Sequence, residues 1–238
     1  GRSVAIIDNA VYIDGVRSTD PLSLEETYAA VSGCGGMAWI GLYRPDDQEI
    51  RSVADEFGLH ELAVEDAVSA HQRPKMERYD NVLFSVLRPA RYLDDVELVE
   101  FGELHIFTGP NFIVTVRHAE SPDIGKVRSR LEANPSLLRL GPGAVLYAIV
   151  DQVVDEYSPV IAGIENDIDE IEDELFNRDT DVSRRIYQLS REVVEFQRAT
   201  HPLTDMLVHL LKGFDKYHVD LELQRLIRDV LDHVLRVA

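Results

Sequence analysis

The sequence predicts an α/β fold, in which a mixed sheet flanked by helices is followed by a long antiparallel helical hairpin and the start of a further helix. Short apolar or alternating runs, separated by turn residues, fill the chain as far as residue 134 and indicate strands. Beyond residue 143, apolar residues recur at alternating spacings of four and three over about 30 residues, which is typical of a long helix. The strands and the long helices are therefore expected to divide near residue 134.

The first part of the chain begins with strands and two helices. Residues 3–13 predict a strand pair that turns at Asp8-Asn9, and residues 37–42 predict a buried strand. Helical spacing of the apolar residues covers residues 23–31 and 46–57. These elements are expected to pack as a sheet with helices on it.

Three further runs predict the centre of the sheet. They occupy residues 81–89, 99–108 and 111–118, and each is either apolar or alternating. Gly109-Pro110 separates the last two as a hairpin-type turn. We therefore expect these runs to be neighbouring strands of one sheet.

The second part of the chain is predicted to be helical throughout. One apolar seam covers residues 146–175, a second covers residues 186–210, and residues 177–181 break the pattern between them. The short break makes the two helices an antiparallel hairpin, and Pro202 is expected to kink the second helix or to mark a local irregularity in it. A third helix is predicted after Gly213.

The third helix carries an apolar stripe up to the end of the chain. Its members are Leu223, Leu226, Val230, Val234 and Val237. Ala238 follows with no glycine, asparagine or proline to cap the helix. We therefore expect the helix to continue in a longer parent protein.

Composition narrows the classes of function. The chain has 43 acidic and 24 basic side chains, a formal net charge of −19, which argues against nucleic acid and anionic lipid as partners. No apolar run approaches the ~18 residues of a membrane span, and no signal peptide is recognisable. The single cysteine, Cys34, excludes an internal disulfide and fits a reducing compartment.

An acidic block lies within the first long helix. Its members are Glu165, Asp167, Asp169, Glu170, Glu172, Asp173 and Glu174, with the apolar seam of Ile164, Ile168 and Ile171 beneath them. One interpretation is a solvated helix face, and the other is a surface for cations or for a basic partner. A calcium loop is excluded because the block has no glycine and the helical seam runs through it.

The histidines show no spacing that is typical of a zinc site. His105 and His118 fall in predicted strands. We expect structural roles for both of them.

Two local motifs identify a family. The stretch LHELAVEDA at residues 59–67 is followed by HQRPKMERYD at residues 71–80 and by VLFSVL at residues 82–87. This arrangement resembles the cytoplasmic domain of the CorA family of magnesium and cobalt channels. The resemblance continues at residues 103–107, at 111–116, from 146 through the acidic block, at 191–203 and at 227–233.

The sequence departs from this family in having neither transmembrane helices nor the Gly-Met-Asn pore signature. The resemblance therefore implies a soluble part of a larger channel, on the cytoplasmic face of the inner membrane, with contact to the membrane only through the missing helices. The zinc-transporting ZntB branch shares this architecture, so Mg²⁺, Co²⁺ and Zn²⁺ all stay open. Residues 1–134 would form the sheet domain, residues 135–216 the long-helix hairpin, and residues 217–238 the start of the stalk helix that leads to the membrane.

The resemblance also implies a homopentamer with regulatory divalent-cation sites between neighbouring subunits. Asp66 matches the carboxylate that the sheet domain supplies, and Asp229 matches the one from the stalk helix. Glu65 and Asp151 match positions of a second site nearby. Mg²⁺ bound weakly by these oxygens is expected to favour the closed state, and no enzymatic activity is expected.

Two alternatives of other classes stay open. One is a magnesium-dependent phosphoesterase that uses Glu65, Asp66 and Asp151. Against it, the sequence shows no glycine-rich phosphate loop, no nucleophile–base pair and no basic clamp for a phosphate. The other is a helical scaffold that binds a basic partner through the acidic block.

Overall fold

The computed structural model describes residues 6–19, 23–34, 36–69, 71–177, 182–216 and 220–237. Within these ranges the strands are β1 (Ile6–Ile13), β2 (Val16–Thr19), β3 (Met37–Tyr43), β4 (Lys75–Tyr79), β5 (Val82–Leu87), β6 (Ala90–Leu93), β7 (Leu98–Phe101), β8 (Leu104–Thr108) and β9 (Phe112–Arg117). The helices are α1 (Leu24–Cys34), α2 (Asp47–Phe57), α3 (Glu61–Val68), α4 (Ile124–Glu132), α5 (Pro135–Leu138), α6 (Pro142–Phe176), α7 (Ser183–Lys216) and α8 (Leu221–Val237). The predicted fold class is confirmed.

Seven strands form one mixed sheet in the order β2-β1-β3-β9-β8-β5-β4. β3 and β9 pair in parallel, with Ala38 opposite Phe112, and the other neighbouring strands are antiparallel. β5, β8 and β9 are neighbours, as the three apolar runs predicted. β8 and β9 form a hairpin across Gly109-Pro110.

The run at residues 99–108 is two strands rather than one. β7 pairs with β6 in a separate two-stranded sheet, and β8 lies in the main sheet. Gly102 lies between them, where an added Cβ would stand 2.0 Å from the Cβ of Ala119. The prediction of one continuous strand here is therefore wrong, because the chain changes sheets at this crowded position.

The predicted turn at Asp8-Asn9 is also wrong, because both residues lie inside β1. The chain turns at Asp14-Gly15, where Ile13 and Val16 are partners. Asp14 has φ 52° and Gly15 has φ 80°, the pair of positive values that a type I′ hairpin turn requires.

The three long helices agree with the apolar seams. α6 has 35 residues and is therefore about 50 Å long, and α7 has 34 residues. α7 continues through both Pro202 and Gly213 and ends at Lys216, so the helix boundary predicted at Gly213 is wrong. Among the helices of the described residues, none has the hydrophobic stretch that a bilayer span requires.

Each face of the main sheet covers a separate hydrophobic core. One core packs the sheet against α4 and the three long helices, with Trp39, Ile106 and Tyr157 fully buried in it. The other packs the opposite face against α1, α2 and α3. The result is a three-layer arrangement in which α3 lies on one face of the sheet and α6 and α8 lie on the other.

Candidate metal centre

Two of the predicted ligands, Glu65 and Asp66, lie on α3. The ring of His60 caps this short helix, because its Nδ1 accepts a hydrogen bond from the Leu62 N–H at 3.1 Å. Glu65 is exposed, whereas Asp66 is half-buried. One turn of helix therefore presents two carboxylates in different environments.

Asp66 forms an ion pair with Lys75 at the start of β4. Lys75 Nζ donates to Asp66 Oδ2 at 2.5 Å and lies 3.4 Å from Glu77 Oε1. Partial burial on its own would lower the pKa of Lys75, but the hydrogen bond and charge of Asp66 outweigh it and raise this pKa. Because the ammonium group stays charged, a metal ion at Asp66 has to compete with Lys75.

The other two predicted ligands, Asp151 on α6 and Asp229 on α8, belong to what we call the α6–α8 cluster: Asp151, Asp155, Asp229 and His233. Asp151, Asp155 and His233 each bring one ligand atom within 4.8 Å of the other two. His233 Nδ1 lies 3.6 Å from Asp155 Oδ1. Each helix contributes a pair four residues apart, which places both members on one helix face.

The α6–α8 cluster carries a net negative charge that is only partly compensated. Burial raises the pKa of Asp151, and the charges of Asp155 and Asp229 add to this, while His233 and Arg130 oppose it. Tyr147 has its pKa raised by burial and then by Asp151, Asp229 and Asp155. Within the described part of the chain, no lysine or arginine forms an ion pair with the three aspartates. A cation at this position would relieve the repulsion.

The donor set of the α6–α8 cluster fits a divalent cation. Carboxylate oxygens are the ligands that Mg²⁺ prefers, and the imidazole of His233 adds a donor suited to Co²⁺ or Zn²⁺. Asp155 is about half exposed, so water can complete the coordination shell of a bound ion. The arrangement can bind and exchange an ion, and no nucleophile–base pair accompanies it among the residues of this cluster.

The structure thus places the four predicted ligands in three different environments. Asp151 and Asp229 are brought into one cluster, whereas Asp66 is paired with Lys75 and Glu65 faces solvent. Sequence reasoning missed Asp155 and His233, although the four-residue spacings from Asp151 and from Asp229 could have indicated them. The predicted pairing of Asp66 with Asp229 between subunits stays a prediction.

Part of the acidic block lies in a second group, the Arg185 cluster: Glu97, Asp167, Glu170 and Glu174 around Arg185 of α7. Arg185 Nη2 lies 2.9 Å from Glu170 Oε2 and 3.3 Å from Glu97 Oε2, and Nη1 donates to Glu174. The single guanidinium group thus pairs with three carboxylates and offsets part of their negative charge. A basic partner for these residues is therefore supplied by the chain itself.

Asp167 shows that the block is not a uniformly solvated face, which corrects the first interpretation. Its exposed fraction is 4%, and it accepts a hydrogen bond of 2.8 Å from the Tyr92 hydroxyl. Burial raises the pKa of Asp167, although the Tyr92 hydrogen bond opposes the shift. Ile168, which the seam placed inside, is instead 38% exposed.

His105 and His118 lie where the sequence placed them, in and next to the central strands. His105 is fully buried and its Nε2 lies 2.8 Å from Glu103 Oε2. Burial and the neighbouring His105 lower the pKa of His118. The side chain of Cys34 lies outside the described residues.

Comparison with known proteins agrees with this architecture. The sequence profile of a family described as CorA-like Mg²⁺ transporter protein matches residues 35–238. The putative metal ion transporter YfjQ of Bacillus subtilis is 34% identical over 201 residues, which cover 84% of this chain and 61% of that protein. The cobalt/magnesium transport protein CorA of Thermotoga maritima is 29% identical over 205 residues, or 84% of this chain and 58% of that protein.

A solved structure shares the fold. The soluble domain of CorA from Methanocaldococcus jannaschii aligns with a TM-score of 0.75 at 20% identity, covering 98% of this chain and 90% of that one. The chain spans about 60% of the length of the two curated relatives. The family is one of transporters, which confirms the prediction of a protein that is not an enzyme and leaves the phosphoesterase alternative without support.

Proposed function

The chain belongs to the family of CorA-like Mg²⁺ transporter proteins, and from this premise we propose that it is the metal-sensing part of a homopentameric divalent-cation channel. It lies on the cytoplasmic face of the inner membrane, where Mg²⁺ bound between neighbouring copies favours the closed state. Residues 1–134 supply Asp66, residues 135–216 supply Asp151, and residues 217–238 lead towards the pore. Co²⁺ and Zn²⁺ compete for the same positions.

The net negative charge of the α6–α8 cluster is the observation that supports this function. Two packed helices bring Asp151, Asp155 and His233 within ligand distance of one another, and the charge of Asp229 acts on Asp151. No lysine or arginine of the described residues forms an ion pair with these aspartates. Such an arrangement costs folding free energy unless a cation is present. The site therefore responds to the concentration of the ion.

Magnesium suits a sensor of this kind. It keeps several waters and needs only one or two carboxylates, so its binding is weak and follows a millimolar concentration. Without the ion, two carboxylates about 4 Å apart repel by roughly 1 kcal/mol even in water. Summed over the interfaces of a symmetric pentamer, this repulsion favours the open state.

At the Asp66 position, metal binding requires that the ion pair with Lys75 be broken. In the absence of metal, the ammonium group of Lys75 holds Asp66 at 2.5 Å. A divalent ion that binds both Asp66 and Asp229 of a neighbouring copy displaces that ammonium group. The ion pair within one copy is then replaced by a metal bridge between two copies. Binding and assembly are then coupled.

Thermal unfolding against added metal tests the proposal. The melting temperature of the chain should rise with millimolar MgCl₂, because binding to the folded state stabilises it. Asp151→Asn and Asp229→Asn should remove most of this rise, and Asp66→Asn should weaken Mg²⁺-dependent self-association measured by sedimentation. Asp55→Asn is the matched control, because Asp55 is an exposed aspartate on α2.

Three outcomes of these experiments would each change a different part of the proposal. A Mg²⁺ response that survives all three variants would contradict these carboxylates as ligands. A response to micromolar Zn²⁺ that exceeds the response to Mg²⁺ would favour the zinc-transporting branch. Self-association that does not depend on metal would contradict the bridge between copies.

A further inference from the structure

A cleft lined by none of the residues of the α6–α8 cluster is the basis of this inference. It lies between the segment that precedes β4, the end of β5 and the middle of α7, and its volume is about 660 Å³. The residues that line it with charged or titratable groups are His71, Arg73, Arg88, Glu195, Arg198 and His201. Residues 71–74, the start of the HQRPKMERYD motif, thus form one wall.

The charge of this cleft is opposite to that of the protein. The chain has a net charge of −19, yet the cleft has three arginines against the single carboxylate of Glu195, with two histidines that add charge when protonated. Because the net charge of the whole chain is negative, an anion would be drawn to this position rather than to the protein in general.

On the side of the cleft that is formed by the sheet, one buried carboxylate holds two of the lining residues in position. Glu103, only 6% exposed, accepts the Gln72 N–H at 2.6 Å and Arg88 Nη1 at 3.3 Å on the same Oε1 atom. Burial on its own would raise the pKa of Glu103, but His105, Gln72 and Arg88 together lower it. Glu103 therefore stays ionised and holds the backbone of the motif beside Arg88.

The remaining cations of the cleft are available to a ligand. Arg73 and Arg198 are exposed and form no hydrogen bond or ion pair with another described residue. His71 has φ 73°, a left-handed conformation that is uncommon outside glycine and is concentrated at binding sites. The cleft continues along α7 into a depression of about 320 Å³, where Arg191 lies over the ring of Tyr187.

We propose that this cleft binds a di- or triphosphate anion, either inorganic or carried by a nucleotide. Planar guanidinium groups match phosphate oxygens in pairs, and a cleft of several hundred Å³ is the size that small ligands occupy. A basic clamp for phosphate is not visible in the sequence, because Arg198 lies more than 100 residues from Arg73 and Arg88 and joins them only in the fold.

Calorimetric titration of the chain in metal-free buffer, with inorganic triphosphate and with ATP as probes, tests this site. The absence of metal keeps the measurement separate from the metal centre. Arg73→Ala and Arg198→Ala should each weaken the binding of both probes about tenfold. Arg51→Ala on α2 removes the same charge from an exposed position outside the cleft and should leave binding unchanged.

The two sources of phosphate are distinguished by Tyr187. If a nucleotide is the ligand, ATP binds more tightly than triphosphate, and Tyr187→Ala removes that difference. If the ligand is inorganic, the two probes bind equally and Tyr187→Ala has no effect. The proposal is overturned if neither probe saturates the chain, if Arg51→Ala weakens binding as much as Arg73→Ala, or if Arg73→Ala instead lowers self-association, which would assign the cleft to a contact between copies.

Discussion

Two groups of carboxylates are centred at different positions along α6, and they differ in the cationic and hydrogen-bonding groups that lie beside them. The Arg185 cluster, near the end of α6, contains its own guanidinium group and a hydroxyl donor from Tyr92. The α6–α8 cluster, nearer the start of α6, has no such ion pair with a described lysine or arginine: His233 lies beside Asp155, and Arg130 acts on Asp151 only through its charge. Acidic density alone therefore does not indicate a metal site, because the larger of the two groups contains an arginine that pairs with three of its carboxylates.

The difference in neutralising partners indicates a structural role for the Arg185 cluster and a binding role for the α6–α8 cluster. In the Arg185 cluster, the charges join the two long helices and the turn between β6 and β7, so removing a partner should destabilise the fold. In the α6–α8 cluster, the charges repel one another, so removing one should stabilise the fold and impair the response to metal. Variants in the two clusters should consequently have effects of opposite sign.

The largest effect is expected for Arg185→Gln. Loss of the guanidinium group leaves Glu97, Glu170 and Glu174 without their common partner and should lower the free energy of unfolding by about 1–2 kcal/mol, since these contacts are partly exposed. Denaturant unfolding in metal-free buffer measures this change. Millimolar MgCl₂ should then restore part of the loss, because the opened cluster resembles the other one.

Arg184→Gln is the control for this variant, because Arg184 is the adjacent, exposed arginine of α7. It should change stability by less than about 0.5 kcal/mol. Equal losses of stability in the two variants would mean that the change in net charge causes the loss and that the contacts of Arg185 do not contribute to it.

A smaller effect is expected for Tyr92→Phe, which removes the hydroxyl that donates to buried Asp167. The free energy of unfolding should fall by about 1 kcal/mol at neutral pH. The pKa of Asp167 is raised by burial, so its ionisation costs stability as the pH rises through that pKa, and the hydroxyl offsets part of the cost. The difference between variant and wild type should therefore narrow as the pH falls through this pKa; a difference independent of pH would contradict the role of Asp167.

The smallest effect, of opposite sign, is expected for Asp151→Asn. It removes one member of a like-charged pair four residues apart and should raise the free energy of unfolding by about 0.3 kcal/mol at neutral pH without metal. Since burial and Asp155 raise the pKa of Asp151, the gain should disappear at a pH below this pKa, where both proteins are neutral at this position. Parallel pH titrations of stability, with Asp55→Asn as control, measure it; a loss of stability would contradict the repulsion.

The sequence was sufficient for those parts of the fold in which one pattern dominates. The apolar seams of α6 and α7 and the strands β5, β8 and β9 follow directly from periodicity. Asp14-Gly15 is a strong hairpin signal, but Asp8-Asn9 also consists of residues that favour turns, so the local sequence does not distinguish the two positions. β4 was missed because its residues, from Lys75 to Tyr79, are mostly polar and lie at the sheet edge.

The candidate sites were predictable only in part, for a physical reason. Resemblance indicated Asp151 and Asp229, but the contributions of Asp155 and His233 depend on the packing of α6 on α8. The partners Lys75 and Arg185 are likewise set by tertiary structure, since Arg185 meets Glu97 across 88 residues. Periodicity shows which face of a helix is buried and does not show which charge lies opposite.

The single parallel pair in the main sheet has a consequence for the synthesis of the chain. β3 cannot meet β9 until Phe112 has been made, 74 residues after its partner Ala38. At about 5–20 residues per second, a ribosome takes roughly 4–15 s to add that length. During this interval the β9 edge of β3 exposes unpaired N–H and C=O groups to other nascent chains. Aggregation during translation should therefore be most frequent while residues 44–111 emerge, and a chaperone that binds extended apolar segments would protect the chain most at that stage.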